Sequence, residues 1–228
     1  MLFTIFSAGL GAGAVALAIL GFLLAVMIAL VLHEWAHAFA AYKSGDPTAK
    51  MMGRMTINPA KHVEPLGLLM FMTVGIGWAK PVPVNPFNYR NFRWGNFWVS
   101  VSGVIVNLIL GIVASICFFF VWRATGTTSL TAIASTNLGL FFPYVFFMYA
   151  MFINFALLIF NLLPIFPLDG YNMLVSFTKP NNRFMQFMRQ YSQPLMIVVL
   201  LTLMFTGVVG MMLNGIVNGL ISFWGLMF

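Results

Sequence analysis

GAVALAILGFLLAVMIALVLHEWAHAFAAY, residues 13–42, decides how the whole chain is read. Its first twenty residues, 13–32, carry no polar side chain, which suffices for a helix to cross about 30 Å of hydrocarbon. The pentad His33-Glu34-Trp35-Ala36-His37 follows with no helix breaker before it, so strongly polar groups enter the membrane on the same element. Working outward, residues 97–122, 138–163 and 195 to about 213 read as further spans, giving four. The apolar run 66–78 is thirteen residues long and broken by Gly67, Gly75 and Gly77. It is too short to cross, reads as re-entrant, and should return to the side it left. Residues 1–12 are too few to cross alone, and Gly215 and Gly219 interrupt the tail, so the placement of 1–12 and 214–228 stays open.

Composition agrees. Of 228 residues, 61% are hydrophobic and 7% charged, which excludes a water-soluble globule because such a surface cannot be covered with polar groups. The net charge of +7 contains no dense basic run and follows from topology instead of nucleic-acid binding. If residues 13–42 run into the cytoplasm, the re-entrant segment returns there, 97–122 leaves and 138–163 comes back. Lys43, Lys50, Arg54, Lys61, Lys80, Arg90, Arg93, Lys179, Arg183 and Arg189 are then cytoplasmic, and only Arg123 lies outside, a bias of ten to one. A single cysteine, Cys117, excludes an intrachain disulfide and a thiolate-ligated metal. The N-terminus has no basic region ahead of its apolar stretch and reads as retained, not as a cleaved signal.

Only four carboxylates exist, and Glu34 and Asp169 fall where the surrounding sequence belongs in hydrocarbon. An Asp at the centre of a membrane helix costs about 3 kcal/mol, so each needs a partner or a reason. His33 and His37, four residues apart, share a helix face and can hold one metal, while Glu34 can reach a metal-activated water without ligating. That pattern points to a zinc hydrolase with Glu34 as general base. A catalytic zinc takes a third protein ligand, and Asp169 is the candidate. It sits in Asn161-Leu162-Leu163-Pro164-Ile165-Phe166-Pro167-Leu168-Asp169-Gly170, where two prolines interrupt the helix pattern. His33 and Asp169 each lie ten residues before a lysine, Lys43 and Lys179, hence roughly 15 Å from the cytoplasmic charges if helical. Zn²⁺ with ionised Asp169 and Glu34 also sums to zero formal charge. Asp169 read as a helix cap after a Pro-rich break is the competing assignment.

HEWAHAF, GDPTAK, GRMTINPAKHVEPLG, GWAKPVPVNPFNYRN, SGVIVN and NLLPIFPLDG together resemble the site-2 protease family of intramembrane zinc metalloproteases. The likeness is to its small prokaryotic members without a PDZ domain and covers residues 31–175 almost continuously. It implies zinc bound by His33, His37 and Asp169, with Glu34 as general base and proton shuttle. It further implies that Asn161 contacts substrate or the developing oxyanion and that Asn107 belongs to the same group. Val104 stands where the family usually has Pro. Residues 71–84 are similar to the family's membrane-embedded β element, with Gly75 and Gly77 at an edge offered to an unwound substrate.

The expected fold is thus an all-α polytopic membrane protein with about four to six transmembrane helices plus a short re-entrant β element. It forms one membrane-embedded domain over 1–228, with a core at 31–175 and a helical region at 191–228. The expected activity is hydrolysis of peptide bonds in or near transmembrane segments of membrane-protein substrates, at a site near the cytoplasmic side of the cell membrane. The partners are that substrate and the lipid bilayer, not nucleic acid; oligomeric state is not legible. A metal permease and a zinc hydrolase of a lipid or small molecule are the competing classes. His62 reads either as an accessory ligand or as a loop-ordering hydrogen-bond donor, Asp46 as a turn residue, and Asn107 and Asn154 as interhelical or site groups.

Overall fold

A computed structural model describes residues 9–73, 77–179 and 182–228, without the side chains of 203–205, 208 and 209. Three long helices form its centre: α1 (Ala12–Ser44), α4 (Phe92–Thr125) and α6 (Leu138–Asn161). On α1 the buried small residues Ala14, Ala18, Gly21, Ala25 and Ala29 recur every three or four positions. They let neighbouring backbones approach, as membrane helices must when lipid tails compete with side chains for contact. At Gly21 an added Cβ would already stand 3.4 Å from the backbone of Phe146. The same stripe continues into His33, so both imidazoles enter the helix interface and not lipid. The matching stripe on α4 is Asn96, Ser100, Gly103, Asn107, Gly111 and Ala114, all buried. Helix α6 buries its own Phe141, Tyr144, Val145, Tyr149 and Phe155.

The connections carry the short helices α2 (Thr48–Met51), α3 (Pro65–Thr73), α5 (Leu130–Thr136), α7 (Asp169–Val175) and α8 (Arg183–Gln190). α1 stops at Gly45, whose φ of 111° only glycine adopts freely, with Gly45 and Asp46 N–H capping Tyr42 and Ala41 carbonyls. Asp46, expected merely to turn the chain, is fully buried. It accepts hydrogen bonds from Thr48 N–H and Oγ1, Asn85 N–H (2.6 Å) and Asn88 Nδ2 (2.8 Å). Burial raises its carboxyl, but these donors outweigh it and hold the group below the ordinary carboxylate range.

Two expectations are corrected. Among the described residues there is no strand, so the structure does not support the expected short re-entrant β element. Residues 65–73 are helical, and Gly75 lies outside the described residues. In the stretch from Gly77 to Asn85, Lys80 N–H bonds to His62 O and Val82 N–H to Glu34, while Pro81 and Pro83 have no N–H to offer a ladder. Gly77 itself serves close packing, since a Cβ there would lie 2.1 Å from Gly67 O. Lys80 N–H bonds to His62 O at 2.8 Å, which brings residues 62 and 80, on either side of this segment, together. The second correction concerns residues 195–213. They do not form one span: α9 (Ser192–Thr206) ends at Gly207 and a new helix, α10 (Val208–Met227), begins. Among the described residues, four helices are long and apolar enough to cross: α1, α4, α6 and the 210–227 part of α10. α10 leans on the core through buried Leu213 and Val217 and through Trp224 Nε1, which donates to Ser115 Oγ at 3.0 Å. These apolar helices make the chain a multi-pass membrane protein.

Replacing Gly77 by Ala should destabilise the fold by about 1–3 kcal/mol through the clash with Gly67, read by thermal or chaotrope unfolding in detergent. Gly210→Ala, where nothing lies within 4 Å of the added carbon, should leave the transition unmoved.

Candidate metal centre

His33 and His37 stand one turn apart on α1, with ring centroids 4.5 Å apart and planes perpendicular. Each imidazole is fixed from behind. His37 Nδ1 lies 2.7 Å from Val99 O on α4, and a carbonyl only accepts, so the His37 proton is on Nδ1. His33 Nδ1 lies 2.9 Å from Asn107 Oδ1, which fixes the same tautomer. Both Nε2 atoms therefore present bare lone pairs, 3.0 Å apart. Asp169 opens α7, and its Oδ2 is 3.4 Å from each Nε2.

Asp169 comes to this spot by two devices. Gly170 passes so close to the end of α6 that a Cβ would lie 2.4 Å from Leu162 O. Asn96 Nδ2 donates to Asn172 O (2.7 Å) and Ser176 Oγ (2.9 Å), tying α7 to the start of α4. Gly103 of α4 faces the cluster itself: a Cβ there would stand 2.5 Å from His33 Cε1 and 2.7 Å from His37 Nε2. Asn96 carried no signal in the sequence beyond a polar residue at helical spacing, whereas Gly103 lay within the SGVIVN stretch without its closeness to the two rings being legible.

The three donors fit a metal ion. Tetrahedral zinc with bonds of 2.0–2.1 Å separates its ligand atoms by about 3.4 Å, and the spacings here are 3.0, 3.4 and 3.4 Å. Asp169 Oδ2 is buried with no hydrogen-bond donor, which a carboxylate oxygen in an apolar protein tolerates only beside a cation. Among the described residues His33, His37 and Asp169 form the one group able to hold a metal.

Glu34 is half-buried beside this cluster, with Oε2 accepting from Val82 N–H at 2.8 Å. Asn107, expected near substrate, is fully buried behind His33 and engaged with it. Asn161 closes α6 and gives one amide hydrogen to Leu157 O (3.0 Å), keeping its second N–H. Asn154 is buried and bonds Ala150 O of its own helix. His62 orders its loop, donating through Nε2 to Thr56 O at 2.7 Å, and lies outside the metal-capable cluster.

The family model of peptidase family M50 matches residues 21–206. YwhC of Bacillus subtilis (strain 168), named a putative zinc metalloprotease, is 41% identical over 160 residues, 69% of each chain. Rip2 of Mycolicibacterium smegmatis, carrying the same description, is 29% identical over 182 residues, 77% of this chain and 64% of that one. Rip2 of Mycobacterium tuberculosis (strain ATCC 25618 / H37Rv) is 30% identical over 169 residues, 69% of this chain and 57% of its own. The chain thus spans about two thirds or less of these relatives. No solved structure is a match.

Asn107→Ala should weaken zinc binding about 10–100-fold by releasing the His33 ring, measured by competition with a chromogenic chelator. Unchanged affinity would show that the ring is held by packing alone.

Proposed function

This chain belongs to peptidase family M50 and is an intramembrane zinc metalloprotease, and we propose the following division of labour within its site. His33, His37 and Asp169 hold the zinc. A zinc ion held by these three residues would supply Lewis-acid chemistry, lowering the pKa of water and polarising a carbonyl oxygen. Glu34, adjacent to the cluster but not part of it, takes the proton from the attacking water and returns it to the leaving nitrogen. The free N–H of Asn161 donates to the carbonyl oxygen as negative charge develops there. Asn107 acts through His33 and is a positioning residue, not a substrate contact. The observation that carries this reading is the convergence of two imidazole nitrogens and one carboxylate oxygen, with a second carboxylate, that of Glu34, beside them and outside the cluster.

Substrates are transmembrane segments of other membrane proteins. A substrate helix has its carbonyls locked in hydrogen bonds, so it must be locally extended before its carbonyl can be attacked. The site opens toward the cytoplasmic side, an orientation supported by the ten-to-one distribution of basic residues. A permease would need donors strung along a path, whereas the described metal-capable donors form a single cluster.

The test is incubation of the purified protein with single-span reporter substrates, with and without a chelator. Chelation should abolish cleavage and zinc should restore it. Glu34→Gln should lower kcat by at least about a thousand-fold while zinc stays bound; substantial cleavage by that variant would remove Glu34 from the role of base.

A further inference from the structure

Glu34 needs more than its place in the helix. At about 100° per residue it points roughly 100° away from His33 and 60° from His37, and three rotatable side-chain bonds let its carboxylate swing over a wide arc. One of its oxygens is nevertheless held, by Val82 N–H at 2.8 Å. In the sequence Pro81-Val82-Pro83 this is the one amide hydrogen available, and the flanking rings restrict the backbone on both sides. Val82 is also seated by its side chain, buried against Ala38 and Ala49.

The other side of the same peptide group meets Arg54. Its Nη2 donates to Lys80 O (2.7 Å) and Pro81 O (3.2 Å). Arg54 is 8% exposed, and among the described residues no carboxylate pairs with it. Its Nε is buried without a partner. A buried, unpaired guanidinium is costly and calls for a reason. The geometry offers one: the Pro81–Val82 peptide has a cation on its oxygen and an anion on its N–H, an arrangement in which each hydrogen bond polarises and strengthens the other.

We propose that Arg54 is a positioning residue for peptide hydrolysis, acting on Glu34 through the Pro81–Val82 peptide. By clamping two successive carbonyls it aims Val82 N–H at Glu34 Oε2, which leaves Oε1 to meet the attacking water. The inference rests on Glu34 being the general base. Residues 77–85 are thereby a strap that orients the base, a role distinct from offering an edge to substrate.

The test uses the full chain in detergent, zinc-loaded, with a single-span reporter and the variants Arg54→Ala, Arg54→Lys, Val82→Pro and the double variant Arg54→Ala/Val82→Pro. Arg54→Ala and Val82→Pro should each lower kcat about 10–100-fold, with KM within about twofold and zinc content unchanged. Arg54→Lys, able to reach one carbonyl, should recover part of the loss. Because both groups act through one carboxylate, the double variant should be no slower than the worse single variant. Multiplying losses, a rise in KM with kcat preserved, or loss of zinc would each overturn the proposal, pointing to independent, substrate-binding or merely structural roles. If Val82→Pro unfolds, the Arg54 pair decides by the KM–kcat split and the lysine rescue. Glu34→Gln separates the two claims: if it retains cleavage, the assignment of the base fails; if it is inactive while the strap variants are fully active, only the strap proposal fails.

Discussion

Three lone pairs facing one another within 3.4 Å inside an apolar protein constitute the constraint on which the rest of this structure depends. Two imidazole nitrogens and a carboxylate oxygen repel when left together, and in hydrocarbon no bulk water screens them. A divalent cation turns that repulsion into attraction, and with Glu34 and Asp169 ionised it brings the formal charge to zero. The site therefore accounts for the two acids that the membrane would otherwise reject.

The helices are shaped around this point. The small-residue stripe of α1 brings α4 and α6 close and, carried one turn further, delivers His33 into the same interface. Gly103 removes the side chain that would collide with both rings, and Val99 O and Asn107 set their protons from the far side. α7 is then pinned by Asn96 so that its first residue completes the trio. Packing, tautomer and metal geometry are consequently one problem, and a single methyl at residue 103 would disturb all three.

Much of this was legible in the residues themselves. His33, Glu34, His37 and Asp169 are conspicuous because polar groups in apolar sequence are expensive, and their helical spacing dictates a shared face. The helices around them follow from length and hydropathy. What stayed hidden was long-range. Nothing in the order Pro81-Val82-Pro83 states that its one amide hydrogen meets Glu34, 48 positions earlier. The prolines and glycines of 75–84 suggested a sheet edge, but 77–84 carry no strand, and the amides of Lys80 and Val82 meet His62 O and Glu34 instead of a neighbouring strand. Local apolarity across 195–213 concealed the break at Gly207, where the chain turns with φ of 64° between α9 and α10. The resemblance placed Asn107 with the substrate contacts and its helical position equally allowed an interhelical bond; its neighbours along the helix could not reveal that it meets His33 Nδ1.

X-ray absorption at the zinc edge, on the protein and on Asp169→Ala, tests the central claim most directly. The account predicts one zinc per chain with two imidazole nitrogens at about 2.0 Å and the remaining coordination positions filled by oxygen. In the variant the two imidazole shells should persist while affinity falls and the oxygen shell changes. Zinc bound with an identical shell and equal affinity in the variant, or a shell lacking two imidazoles, would contradict it.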